Sequence, residues 1–172
     1  MGGCAKGLVM APDGRTILRR SLEILRTAGV HDVVLVGAHD AYAPLGLTTI
    51  KDEIRGIGPL GGLLSLLRHA GQRRAMALAC DMPFVSAGLI ARLLSVPGEP
   101  IVAPRRDGRW EPLCAVYDAS FVLPVAVDRA ASLDYSLQRL LDDAGAIELF
   151  LAPHEADELR DWDTPEDPLA LK

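Results

Sequence analysis

"AMALACDMPF", Ala75 to Phe84, decides how the rest of the chain reads. Ala75 to Cys80 runs apolar without alternation. That predicts a strand buried on both faces, as in a parallel sheet covered by helices. Asp81 ends the strand, and Pro83 stiffens the turn behind it. In open α/β sheets ligands gather outside the carboxyl ends of the strands, so Asp81 stands where chemistry is to be sought. A carboxylate there suits Mg²⁺, which takes one or two carboxylates plus phosphate oxygens and waters. Asp81 reads equally as a cap for the next helix. Cys80 falls on the opposite side of the pleat and reads as core.

Outward from this strand, apolar strands alternate with helices. "VVLV", Val33 to Val36, is a second fully buried strand. Before it, Thr16 caps a helix through about Ala28, with Leu18, Leu22 and Leu25 as its apolar stripe and Gly29 as its stop. Helices are expected over Leu60 to Ala70, Ser86 to Leu94 (Ser86 as cap), Ser120 to Ala130 and Tyr135 to Ala144. Short strands are expected over Ile101 to Pro104 and Leu113 to Tyr117, with a late one over Ala146 to Ala152. The pattern predicts an α/β fold in one domain, residues 1–172, with a mostly parallel sheet and helices on both faces.

A net charge of −5 argues against a nucleic-acid binder, which shows a basic face. It leaves room for a nucleotide, since one lysine can hold a phosphate. Cys4, Cys80 and Cys114 form no CxxC pair, so a reduced, cytoplasmic protein is expected, with neither zinc site nor disulfide framework. No apolar run reaches membrane-spanning length, so no membrane role is expected. The four histidines lack metal-ligand spacing, and no G-x-S-x-G elbow is present.

Three further stretches carry candidate chemistry. In "DEIRGIGPLGGLLSLL", Asp52 to Leu67, glycines let the backbone pass close to a ligand, or close to the chain's own neighbouring elements. In "MGGCAKGL", Lys6 follows Gly2 and Gly3. An ammonium beside such glycines neutralises charge on a transferred phosphoryl group; alone, Lys6 reads equally as an exposed terminal lysine. In "DWDTPEDP", Thr164 caps a helix with Pro165 at its first position, which leaves Asp161 and Asp163 free to face a metal or ligand.

These segments occur in the order MGGCAKGL, GPLGGLLSLL, ACDMPF, EPLCAVY and DTPEDP. In that order the chain resembles, over nearly its whole length, the molybdenum cofactor guanylyltransferase family of the NTP-transferase superfamily. GPLGG and CDMP are the most specific parts. The resemblance implies a Rossmann-like nucleotidyltransferase fold. It implies transfer of GMP from GTP to the phosphate of molybdenum-bound molybdopterin, with release of pyrophosphate and with Mg²⁺ as cofactor. Lys6 would be the catalytic loop lysine on the GTP phosphates, and Asp81 the catalytic Mg²⁺ aspartate. Asp52, Gly58, Pro59, Leu60 and Gly61 would bind the nucleotide. Asp161 and Asp163 stand where the family usually has two asparagines; Asp163 keeps an oxygen for the metal. Ala38 and His39 stand where the family often has an asparagine near the guanine, which leaves a CTP-using cytidylyltransferase as the alternative. Implied partners are cofactor-biosynthesis proteins and molybdoenzymes. The family's loop begins with a strand and a Leu-Ala-Gly-Gly stretch ahead of Met-Gly, and this sequence opens at Met1-Gly2. The first strand and first half of the loop are therefore expected to be missing, either because the true start lies upstream or because this is a trimmed relative. A non-catalytic protein binding the cofactor or a partner is the alternative on that count.

Overall fold

The computed structural model describes residues 6–10, 14–37, 40–54 and 56–160. A short helical turn at Lys6–Leu8 precedes α1 (Ile17–Thr27), β1 (Val34–Val36) and β2 (Thr48–Ile50). Then come α2 (Pro59–Ala70), β3 (Arg74–Leu78), α3 (Ala87–Ser95) and β4 (Ile101–Ala103). A two-stranded ribbon, β5 (Arg105–Arg106) with β6 (Arg109–Trp110), leads into β7 (Cys114–Asp118). The chain continues through α4 (Ala119–Ala131), α5 (Leu137–Asp143) and β8 (Ile147–Glu148).

The expected caps are present. Thr16 Oγ1 accepts from the Arg19 N–H at 3.3 Å, and Ser86 Oγ from the Leu89 N–H at 3.1 Å. Each satisfies a backbone donor that the first turn leaves open. Pro59 opens α2 because its missing N–H costs nothing there. Gly58 before it has φ +65 and ψ −149, a conformation open essentially to glycine.

The expectation of a mostly parallel sheet needs correcting. The main sheet has the order β3-β7-β4-β8 and is mixed. β7 runs antiparallel to both β3 and β4, while β4 and β8 are parallel. The cause lies in the connection: β4 passes to β7 through the small ribbon, with no helix. A parallel return needs a crossover, and a hairpin-like connection reverses the chain. β1 and β2 form a separate parallel pair.

Helices cover both faces as expected. Alternate strand residues divide between two cores. Ala75, Ala77, Ile101, Ala115 and Tyr117 pack with α2, α4 and α5. Val102, Cys114 and Val116 pack with α3 and Leu25 of α1. Two strands end sooner than their sequences predict. β3 stops at Leu78, where the chain turns. β8 is cut short because its partner β4 ends at Ala103, ahead of Pro104, and a proline has no N–H for a ladder. "VVLV" also departs from expectation: Val33 to Val36 are half-buried rather than enclosed.

Buried Glu155 fastens the segment after β8 to α3. It accepts a hydrogen bond from Arg92 and another from the Ala152 N–H at 2.6 Å. Arg92 also donates to the Phe150 carbonyl at 2.9 Å. The Arg92 hydrogen bond, above all, holds the Glu155 carboxyl below its usual value of 4.5 against the opposing effect of burial. A depressed carboxyl contributes stability that is present above the unfolded pKa and lost as pH falls through the folded one. Glu155→Gln is therefore expected to cost about 1.5–3 kcal/mol near neutral pH. Urea titrations of wild type and variant should converge as the pH falls below 4.5. A gap that persists in acid would show that packing, not charge, carries the contact.

Candidate functional site

A cleft of about 420 Å³ lies between β1 and β3. Gly37, Tyr42, Asp52, Gly58, Gly62 and Asp81 line the end where both strands finish. This is the edge at which the fold class places ligands.

Asp81 stands in the turn after β3 and is half-buried. The turn is held from several sides. Ala79 N–H donates to the Leu113 carbonyl at 2.7 Å, which extends the β3–β7 pairing one residue beyond β3. Arg20 Nε of α1 donates to the Pro83 carbonyl at 2.6 Å. Met82 and Val85 are buried beneath. Ser86, rather than Asp81, caps the next helix, so the capping alternative for Asp81 falls away.

Asp52 approaches from the other side, after β2. The neighbouring Glu53 N–H donates to Ser65 Oγ at 3.1 Å, and that hydroxyl donates to the Gly61 carbonyl at 3.1 Å. These bonds tie the Asp52 segment to the first turns of α2. A Cβ built on Gly62 would lie 3.7 Å from Asp52 Oδ1, so the carboxylate sits beside the amino end of α2. That helix end favours anions through its open N–H groups and dipole.

The residues singled out in the sequence separate here. Asp52, Gly58, Pro59 and Asp81 line the cleft. Leu60 does not: it is fully buried in the core beside α4 and α5. Gly61 is also turned away. Its added Cβ would meet the Ile54 carbonyl oxygen at 2.5 Å, so its close approach is to the chain itself. Gly56, Gly58 and Gly61 have dinucleotide-loop spacing, yet residues 51–58 separate β2 from α2, whereas that fingerprint follows its strand directly. Lys6 opens the amino-terminal turn, and its side chain lies outside the described residues, as do Ala38, His39, Asp161 and Asp163.

Cys80, read as core from the pleat, is half-buried and lines the cleft, because β3 ends two residues before it. Burial pushes the Cys114 thiol up to about 12, which removes it as a nucleophile near neutral pH. Tyr42 was not foreseen. Its hydroxyl accepts from the Gly7 N–H at 3.2 Å, pinning the amino-terminal turn to the cleft. An aromatic shortly after a buried strand was the available signal.

Two carboxylates at one cleft are the donor set that Mg²⁺ takes when phosphates and waters complete its shell. No group of three or more His, Cys, Asp or Glu able to hold a metal gathers among the described residues. Among the same residues no helix is long and apolar enough to cross a membrane.

Residues 1–152 match the family described as MobA-like NTP transferase domain. The chain is 31% identical over 164 residues to a protein of Opitutus terrae named "Probable molybdenum cofactor guanylyltransferase", covering 90% of this chain and 80% of that one. It is 36% identical over 80 residues to a Clostridium perfringens protein of the same name, covering 46% of this chain and 40% of that one. The chain thus spans less than half of the Clostridium relative's length. The fold resembles the crystal structure of 2-C-methyl-D-erythritol 4-phosphate cytidylyltransferase from Thermus thermophilus, with a TM-score of 0.67. That likeness covers 96% of this chain and 90% of that one at 19% identity, and concerns the fold alone.

Proposed function

We propose, because this chain belongs to the MobA-like NTP transferase domain family, that it moves GMP from GTP to a molybdopterin-type cofactor. One observation carries the reading. Asp52 and Asp81 come from separate loop segments, yet both line one cleft, with Asp52 beside the amino end of α2. That combination suits a nucleoside triphosphate with its cation.

The reaction is an in-line displacement. An oxygen of the cofactor's phosphate forms a bond to the α-phosphorus of GTP. The bond from that phosphorus to the bridging oxygen breaks, and its electron pair leaves with pyrophosphate. Asp81 and Asp52 would hold Mg²⁺, which when bound neutralises phosphate charge and orients the triphosphate. The amino end of α2 attracts the same charge. Lys6 would add a further positive group to the phosphates. Gly62, with no side chain, leaves the room beside Asp52 open.

The test is nucleotide competition with Mg²⁺ present. Unlabelled GTP is expected to displace bound labelled GTP at least tenfold more effectively than CTP. CTP as the stronger competitor would overturn the guanylyl reading and leave a cytidylyl one. No displacement by any nucleoside triphosphate would remove the transferase reading itself.

A further inference from the structure

We propose that Ser65 is a positioning residue for the cleft: its buried hydroxyl fixes Asp52 against the amino end of α2, so that the carboxylate and the helix end hold one geometry. This rests on the transferase reading of the cleft and deepens it.

By its surroundings Ser65 is out of place. It lies in "LGGLLSLL", on the buried side of α2 with Leu60, Leu63, Leu64 and Leu67, and is only 2% exposed. A buried hydroxyl costs free energy unless it is hydrogen-bonded, and alanine is the better helix former. A helix interior shaped by stability alone would carry alanine here. Ser21 of α1 is the ordinary case. It is buried too, and its hydroxyl donates to the Ile17 carbonyl of its own helix at 3.0 Å. Ser65 makes the corresponding bond to the Gly61 carbonyl at 3.1 Å. It also makes one that leaves the helix: its oxygen accepts the Glu53 N–H at 3.1 Å.

That second bond is the one that positions Asp52. The Glu53 N–H shares a rigid peptide plane with the Asp52 carbonyl, so holding the donor fixes the backbone that carries the Asp52 side chain. The Glu53 carboxylate is held as well, by an ion pair with Arg68 of α2. Its side chains are 45% and 41% exposed, and an exposed pair contributes little. The hydroxyl is the inner anchor. Its other partner, Gly61, lies in the first turn of α2, where open N–H groups attract phosphate. One oxygen thus joins the Asp52 peptide to that turn, and Asp52 Oδ1 stands 3.7 Å from the Cβ position of Gly62. Without the hydroxyl, Asp52 keeps its charge and loses its fixed place beside the helix end. α2 keeps its own ladder of backbone bonds.

The experiment uses the full chain and compares wild type with Ser65→Ala, Ser65→Cys, Asp52→Asn and the Asp52→Asn/Ser65→Ala double variant. Cysteine keeps the volume but is a weak acceptor. The first readout needs no nucleotide: amide hydrogen exchange at Glu53, with the melting temperature alongside. Both Ser65 variants are expected to speed Glu53 exchange about tenfold while the α2 amides hold. The second readout is GTP affinity by titration calorimetry, in Mg²⁺ and in EDTA. With Mg²⁺ both variants are expected to bind GTP about tenfold more weakly, the loss typical when a group that orients a metal ligand is removed. In EDTA they should match wild type, because the hydroxyl acts through Asp52 and its cation. In the Asp52→Asn background, Ser65→Ala should add less than about a twofold loss, since residues that act through one another are not additive.

Unchanged Glu53 exchange or unchanged affinity in Mg²⁺ would overturn the proposal. So would equal weakening in EDTA, a full further loss in the Asp52→Asn background, or wild-type behaviour of Ser65→Cys, which would make volume the cause. A melting temperature that falls in step with affinity in both Ser65 variants would make Ser65 structural and overturn it as well. Wild-type protein that binds no GTP in Mg²⁺ would remove the transferase reading and this role with it. Normal wild-type binding with unaffected Ser65 variants would remove the role of Ser65 alone.

Discussion

Asp81→Asn is expected to lower the proposed GMP transfer by about 100- to 1000-fold, equivalent to about 3–4 kcal/mol of transition-state stabilisation. Asparagine keeps the size of the side chain and one oxygen acceptor, but loses the charge that would hold a cation. The fold should survive. The turn carrying Asp81 is held by the Ala79 N–H on Leu113, by Arg20 on the Pro83 carbonyl, and by buried Met82 and Val85. The melting temperature should therefore move little while turnover collapses, and Mg²⁺-dependent GTP binding should weaken with it. Steady-state kinetics across a Mg²⁺ titration distinguish the outcomes. A shifted Mg²⁺ requirement with turnover restored at high Mg²⁺ would mean that Asp81 contributes affinity alone. Near-normal turnover at ordinary Mg²⁺ would take Asp81 out of the metal site.

Gly61→Val is expected to lower stability by about 2–3 kcal/mol, the upper part of the range of about 1–3 kcal/mol for forcing atoms into a packed site. For a chain of this length that is a fall of roughly 5–10 °C in melting temperature. The reason is local. A Cβ at position 61 would lie 2.5 Å from the Ile54 carbonyl oxygen and 3.2 Å from Ile57 Cγ1. The first of these is backbone and cannot rotate aside. Gly62 is the control, one residue along the same helix. Its added Cβ meets Val36 Cγ1 at 3.5 Å and Asp52 Oδ1 at 3.7 Å, both ordinary contacts. Gly62→Ala should therefore be neutral or gain up to about 1 kcal/mol from helix propensity. Gly62→Leu should keep the fold and weaken nucleotide binding, because that side chain would fill the space beside Asp52. Urea denaturation of the three variants, with GTP binding by the folded fraction, tests the pair. A stable Gly61→Val protein that has lost only GTP binding would put Gly61 back on the ligand side.

Much of the architecture was legible in the sequence because its signals are local. Thr16 and Ser86 cap their helices through bonds three residues away, and Pro59 opens α2 at the position where a proline costs nothing. An apolar run ending in Asp81 marks a strand and its carboxyl edge whatever lies around it. Strand direction is not local. β7 runs backwards because of the ribbon that precedes it, and no residue within β7 encodes that reversal.

By itself, the sequence determined the five α-helices seen among the described residues, the apolar faces that build two cores, and the position of Asp81 beyond a strand. Tertiary structure alone decided the rest. It brought Asp52 and Asp81 to one cleft from segments separated by a whole helix and strand. It divided the glycines of GPLGG between two tasks, Gly61 against the chain's own backbone and Gly62 beside the cleft. It also left Val34 to Val36 half-exposed along an open slot, although their sequence is that of an enclosed strand. The physical reason is common to all three. Hydrogen bonding along the chain and apolar periodicity depend on neighbours a few residues away, whereas burial, strand order and the meeting of two carboxylates depend on which elements pack together.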